Sequence, residues 1–298
     1  MDKDTLINVA AQMARGGELA HLADQQLDDD RLVELWLHGR SPHTQRCYRL
    51  DVNRFRAFTN KPLALASLQD LQQFSHSFTT LTPRSLARVL SSVKSLLAFG
   101  HKIGYLQYDV GRVLRVPTAK DSLAERILPE ADVLQMIALE PNKRNRGLIR
   151  LLYAAGLRVS EVCGLKWRDV QPRADAGQIT VYGKGNKTRT ILLSSTTWRE
   201  LLTLKGDATP DQPVFLSRFK RQFDTSMVYL IVRAAAKRAG IEGNVSPHWL
   251  RHAHASHALD RGAPIHLVQA TLGHESIATT GRYLHARPTD SSARFLPV

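Results

Sequence analysis

The sequence predicts a mainly α-helical protein with one small antiparallel β-sheet, organised as two domains. Three observations carry that expectation. Apolar residues recur at helical spacing behind Pro-containing starts such as Thr82-Pro83 and Ser246-Pro247. One segment, QITVYGKGNKTRTILL, alternates apolar and polar residues on both sides of a Gly-Lys-Gly-Asn turn, the pattern of a hairpin. The stretch VPTAKDSLAERIL, from Val116 to Leu128, mixes Pro, small and charged residues without a period, as a connector does. The expected divisions are a helical lead-in at 1–24, a helical domain at 25–116, a connector at 117–128, and a mixed α/β domain with a tail at 129–298.

The length of 298 residues gives room for one large or two modest domains, and 43% hydrophobic residues suffice for real cores. Lys and Arg outnumber Asp and Glu by 41 to 27, a formal charge of +14, with an isoelectric point near 10.1. That excess points to a polyanionic partner. Nucleic acid fits better than a membrane, since neither a basic amphipathic anchor nor a long apolar span is read. The opening MDKDTLINVAAQ carries acids early and lacks an apolar core, so it does not read as a secretory signal. Cys47 and Cys163 are isolated and give neither a disulfide framework nor a zinc ligand set. A soluble cytosolic protein is expected.

In the first domain, Leu32 to Leu37 forms a brief amphipathic turn before the polar HGRSPHT. Thr44 is a candidate cap for the next helix, whose apolar stripe is Tyr48, Val52, Phe55 and Phe58; Arg46, Arg49, Arg54 and Arg56 lie mainly off that stripe. Lys61-Pro62 ends it. The helix from Thr82-Pro83 buries Leu86, Leu90, Val93 and Leu97 and turns Arg84, Arg88, Ser91, Ser92 and Lys94 outward. Small hydroxyls among cations allow close approach to a phosphate backbone, so Arg46, Arg84, Arg88 and Lys94 are candidate DNA contacts. A solvated helix face accounts for the same pattern.

The second domain starts with a helix at Pro129, PEADVLQMIALE, and another from about Arg144 to Ala155, ended by Gly156. Arg158 follows in GLRVSEVCGL; taken alone it reads as an ion pair with an acid such as Glu161. Lys184 falls at the hairpin turn, where by itself it is a solvated lysine, and Lys187 and Arg189 read as phosphate contacts. A scaffold helix runs from Asp224 to Ala239, with Val228, Ile231 and Ala235 inside and Arg233, Lys237 and Arg238 adding basic surface.

The segment Ser246 to Tyr283, SPHWLRHAHASHALDRGAPIHLVQATLGHESIATTGRY, is the most informative. Ser246 as N-cap and Pro247 as first residue start a helix that places His248 and Arg251 on one face of its first turn. Free N–H groups and the positive dipole end there suit a phosphate. A second helix runs from near Pro264 to Gly273, leaving His274 in the following turn, and Tyr283 falls nine residues later on a third short helix. A cationic fork, two imidazoles and a phenol can thus converge on one phosphodiester. His248 and His252 also stand four apart, as zinc ligands do. The glutamate of a zinc-peptidase helix is missing, however, and Arg251 would put a cation beside the metal. His252, His254, His257 and His266 read as packing or hydrogen-bonding residues.

H-x-x-R at His248 and Arg251, L-G-H ending at His274 and the tyrosine nine residues beyond resemble the tyrosine recombinase (phage integrase) family, most closely its small Xer-type members. GLRVSEVCGL matches that family's first arginine motif, and Ser41, Thr44 and Tyr48 match a pattern of its helical core-binding domain. Asp109-Val110-Gly111 departs from the Asn-Pro that relatives often carry. The resemblance covers roughly residues 30 to 285 and implies a two-domain DNA clamp with six site residues: Arg158, Lys184, His248, Arg251, His274 and Tyr283. It implies that Tyr283 attacks the scissile phosphate to give a 3′-phosphotyrosyl bond and a free 5′ hydroxyl. Arg158 and Arg251 would clamp the phosphate, Lys184 act as general acid, His248 as proton acceptor or relay, and His274 as a hydrogen-bond donor. No metal, ATP or other cofactor is implied.

The implied partners are duplex DNA bearing a specific site and a homo-tetramer, or a paired recombinase, on two such sites. The implied location is the bacterial cytoplasm at the nucleoid. A family-like tail, with Phe295 and Leu296 as an apolar anchor, could dock on a neighbouring protomer; a frayed terminus is the alternative. A type IB topoisomerase would use nearly the same residues, and a catalytically silent DNA-binding protein is a further alternative.

Overall fold

A computed structural model of the chain describes residues 28–118, 122–183 and 187–286. The lead-in at 1–24, Lys184 and the tail with Phe295 and Leu296 lie outside the described residues. The chain divides into two compact units, Met1–Lys120 and Asp121–Val298.

The first unit is helical. Helix α1, Asp29–Leu37, is capped by Asp28, whose Oδ1 accepts from the Arg31 amide at 2.7 Å. Helix α2, Pro42–Thr59, is capped by Ser41, three residues before the expected Thr44, because Pro42 already supplies the first helical φ. Asn60 in a left-handed conformation ends it. Helix α3, Leu68–His76, opens with a reciprocal Ser67/Asp70 capping box, and α4, Pro83–Lys102, is capped by Thr82. Leu32, Trp36, Val52, Phe55, Phe74, Leu90 and Val93 meet in the core, with Tyr48 stacked on Trp36 at 5.2 Å. Asp51 is fully buried. It accepts a fork from Arg88 and a hydrogen bond from Ser92 Oγ at 3.0 Å. Ser92 therefore lies inside, not on the outward face the helical count suggested: a buried carboxylate needs donors, and the position one turn after Arg88 supplies one.

The second unit is mixed. Helices α5 (Glu130–Ala138), α6 (Lys143–Ala154) and α7 (Val159–Gly164) precede a three-stranded antiparallel sheet of order β1-β2-β3. The sheet comprises β1 (Val170–Arg173), β2 (Ala176–Tyr182) and β3 (Thr188–Leu193). The β2–β3 hairpin pairs Val181 with Arg189, and the Gly183 amide donates to the Lys187 carbonyl at 2.7 Å. Helices α8 (Ser195–Leu202), α9 (Thr225–Arg238), α10 (Pro247–Asp260), α11 (Ile265–Leu272) and α12 (Ile277–Ala286) follow. Helix α10 packs against α6, α9, α11 and α12 and so sits at the centre of this unit.

The mainly helical class with a small antiparallel sheet is as the sequence predicts. Strand β1 and helices α3, α7 and α8 are additions, each too short to stand out by periodicity. Part of the expected connector is structured: a 3₁₀ turn, Ala124–Arg126, flanked by buried Leu123, Ile127 and Leu128. Leu123 and Ile127 join Ala255, Val268, Leu272 and Tyr283 in a small apolar cluster. That contact is long-range, so no local period announces it. Ser246 occupies the N-cap of α10 with extended backbone, yet its side chain makes no cap hydrogen bond.

Candidate active site

The site is assembled around the C-terminal end of α11. Three successive carbonyls there each accept from a different arginine. Thr271 O takes Arg189 Nε at 2.6 Å, Leu272 O takes Arg251 Nη2 at 2.6 Å, and Gly273 O takes Arg158 Nη2 at 3.0 Å. A helix end leaves its last carbonyls unpaired and carries partial negative charge, so cations are the fitting partners. Gly273 adopts φ +62° to end the helix, and the Arg189 guanidinium lies 3.1 Å from where a Cβ would stand. Arg251, 3% exposed, also donates through Nη1 to Gly156 O at 2.5 Å. Gly156 holds φ +56°, and a Cβ there would sit 2.7 Å from Leu272 Cδ2. The two glycines thus leave room for two different approaches, Gly273 for Arg189 and Gly156 for the end of α11 whose Leu272 carbonyl holds Arg251.

Glu161, buried on the first turn of α7, couples the other two arginines. Arg189 donates both Nη groups to it at 2.8 Å, and Arg158 donates its amide at 2.8 Å and Nη1 at 2.9 Å. Burial pushes the Glu161 carboxyl up, but the Arg189 side chain and Arg158 amide outweigh it, and the group is held below the usual carboxylate range. Each guanidinium has five N–H groups. The described bonds take two from Arg251 and two side-chain donors from Arg158, and Arg158 lines an open groove.

The imidazoles and phenol come from α10, α12 and the turn between α11 and α12. His274 Nδ1 pairs with the buried Thr280 Oγ1 at 2.9 Å, and its ring lies parallel to Tyr283 at 6.5 Å. Tyr283 is 6% exposed, and its hydroxyl lies 2.8 Å from His252 Nδ1. His248 stacks on His252 at 6.1 Å and presents open surface to solvent. Burial, then Arg251, Arg158 and Arg189, pulls His274 down to about 4. Partial desolvation, with Arg251 and Arg158, also lowers His248. Burial raises the Tyr283 phenol against the pull of Arg251 and Arg282. At neutral pH the site therefore holds neutral imidazoles and a protonated phenol among arginines, arranged to receive an anion. An open groove of about 650 Å³ lined by Arg158, Lys187, Arg189, His274, Ser276 and Thr279 leads to it.

Of the site residues expected from sequence, Arg158, His248, Arg251, His274 and Tyr283 converge; Lys184 lies outside the described residues. Lys187 is exposed, with Nζ 3.6 Å from Glu275. Arg189, expected as a phosphate contact, is turned inward, its guanidinium bound to Glu161 and Thr271. Strand period places it on one face with Ile191 and Leu193, a signal available in the alternation itself. In the first unit Arg46 and Arg84 are exposed. Arg88 is held by Asp51 and Lys94 donates to the Leu114 carbonyl. His252 and Thr280 were not singled out as site residues. The i, i+4 spacing from His248 flags the first, and nothing local flags the second.

The Glu161 cluster yields a direct test. Glu161→Gln removes the shared charge of two arginines and turns an amide N–H₂ toward them. Breaking such a buried pair costs about 3 kcal/mol or more. Urea unfolding of the full chain is expected to show that loss; an unchanged curve would mean the cluster does not support the fold.

Comparison with known proteins gives a consistent picture. Residues 126–290 match the model of the phage integrase family, and residues 32–102 match the N-terminal SAM-like domain of phage integrases. Tyrosine recombinase XerC of Xylella fastidiosa (strain 9a5c) is 33% identical over 261 residues, covering 83% of this chain and 87% of the relative. A lambda integrase dimer bound to a COC′ core site superposes with a TM-score of 0.71 at 17% identity, over 88% of this chain and 95% of the other. A lambda integrase tetramer bound to a Holliday junction gives 0.68 at 16% identity, over 92% and 88%.

Proposed function

The chain belongs to the phage integrase family and is a tyrosine-type site-specific recombinase, and we propose that Tyr283 is its nucleophile. The convergence of a shielded phenol with arginines held on backbone carbonyls supports this reading. Tyr283 Oη bonds to phosphorus as the P–O5′ bond breaks, leaving a 3′-phosphotyrosyl link and a free 5′ hydroxyl. The reverse step, with a 5′ hydroxyl from another strand, reseals the backbone. One phosphoester replaces another, so the scheme draws on no ATP. Arg158 and Arg251 bind the non-bridging oxygens, where charge builds in the transition state; donors already fixed on Gly156, Leu272 and Gly273 need little reorganisation. His274, set by Thr280, donates to a phosphate oxygen, and Lys184 is the general acid toward O5′. His248, on the open rim, is a relay to solvent or to a phosphate oxygen.

Duplex DNA is the partner, and among the described residues no helix is long and apolar enough to cross a membrane. Arg46 and Arg84 of the first unit and Lys187 of the second are the proposed outer phosphate contacts. Arg88 stays exposed while paired with Asp51 and is a further candidate, whereas Lys94 and Arg189 would reach DNA only by exchanging partners. We place four protomers, or two pairs with a second recombinase, on two sites in the bacterial cytoplasm at the nucleoid.

Fragmented genomic DNA carrying nicks provides the test. A nick beside the scissile bond lets the 5′ fragment diffuse away and traps the adduct. The expected product is a detergent-stable complex joined through a 3′ phosphate to a peptide containing Tyr283, at one recurring sequence. Relaxation of plasmids by single protomers without site preference would point instead to a topoisomerase, and an adduct on another residue would remove Tyr283.

A further inference from the structure

We propose that His252 is a catalytic residue: its Nδ1 holds the Tyr283 hydroxyl and takes the proton when the phenol oxygen attacks phosphorus. The proposal rests on the reading of Tyr283 as nucleophile. Among the described residues, His252 is the imidazole hydrogen-bonded to that hydroxyl, at 2.8 Å, with ring centroids 5.7 Å apart and planes at 46°. The geometry is held from both sides. Tyr283 shares an apolar cluster with Leu123, Ile127, Ala255, Val268 and Leu272, and His248 stacks on the imidazole at 6.1 Å. His274, the other ring beside the phenol, has its Nδ1 engaged by Thr280.

Protonation favours the same role. The groups facing His252 are His248 and Arg251 from its own helix, Arg126 from the 3₁₀ turn, and Arg282 and Tyr283 from α12. Burial, with the cations among these groups, brings the ring down to about 4, so it is neutral across the neutral range, and the tautomer with its proton on Nε2 presents the Nδ1 lone pair to the phenol. The anionic phosphate, once bound against Arg251, offsets that repulsion and makes the ring more basic at the moment of attack. The step balances: Oη–P forms, the phenol proton passes to Nδ1, P–O5′ breaks, and the general acid protonates O5′. On resealing, His252 returns its proton to the departing phenolate.

The test uses the full chain and a nicked duplex bearing the captured site, with single-turnover adduct formation followed from about pH 5 to about pH 9. The wild type is expected to be flat from about pH 6 upward. His252→Ala should fall by about 10²-fold at neutral pH and recover as pH rises, because hydroxide then removes the proton. His252→Asn keeps a polar group near the Nδ1 position but cannot take a proton, and should share that slope. Duplex affinity should be unchanged in both. A sulfur in place of the bridging 5′ oxygen should rescue Lys184→Ala but neither His252 variant. Wild-type rates in His252→Ala, a flat profile in His252→Asn, or sulfur rescue of either would each overturn the proposal. If Tyr283→Phe still forms adducts, the nucleophile reading fails first. If Tyr283→Phe is silent and the His252 variants are unaffected, only the His252 role falls.

Discussion

Tyr283→Phe is expected to abolish covalent protein–DNA complexes while leaving duplex affinity within a few fold. The substitution removes one oxygen from a ring packed on Leu123, Ile127 and Leu272, so the apolar contacts persist. The hydrogen bond to His252 is lost, worth about 1 kcal/mol of stability and too little to unfold the unit. Binding rests on many phosphate contacts and should keep its steep salt dependence, since counterion release does not involve the phenol. Denaturing electrophoresis on nicked duplex reads the adduct, and titration at two salt concentrations reads affinity. Adducts formed by the variant would assign the bond to another side chain.

Arg251→Ala is expected to lose about 10³-fold or more in cleavage, the scale seen when a fixed donor to a developing charge is removed. The loss has two sources. On the proposed mechanism one fork to the non-bridging oxygens disappears, and the Gly156 and Leu272 carbonyls are left without their donor, which loosens the turn carrying His274. Arg251→Lys should recover little, because one ammonium cannot span both carbonyls and still face a phosphate. Lys184→Ala should lose ~10²–10⁴-fold for a different reason, the missing proton for O5′. A bridging sulfur separates the two. Thiolate needs no proton to depart, so that substrate should restore Lys184→Ala and leave Arg251→Ala slow. Equal rescue, or none, would remove Lys184 from the general-acid role.

What the sequence determined by itself is local or evenly spaced. Caps and proline starts placed α4 and α10, and a glycine in the left-handed region stopped α11 directly before His274. Alternation about the Gly-Lys-Gly-Asn turn gave two of the three strands. The family motifs singled out Arg158, His248, Arg251, His274 and Tyr283, because residues brought to one site recur at intervals set by the helices carrying them.

Tertiary structure alone decided what those residues lean on. Arg251 reaches Gly156, Arg158 reaches Gly273 and Arg189 reaches Glu161, contacts spanning 95, 115 and 28 residues. No short window contains both ends of such a bond. The same holds for Asp51, which is paired with the exposed Arg88 and whose demand for donors drew Ser92 away from the face that helical counting gave it. It holds for His252, four residues after His248 on the same helix, whose partner Tyr283 comes from another helix. A period tells which face a residue occupies, but a buried charge or hydroxyl takes whichever partner folding brings within hydrogen-bond reach, and that depends on how the helices pack.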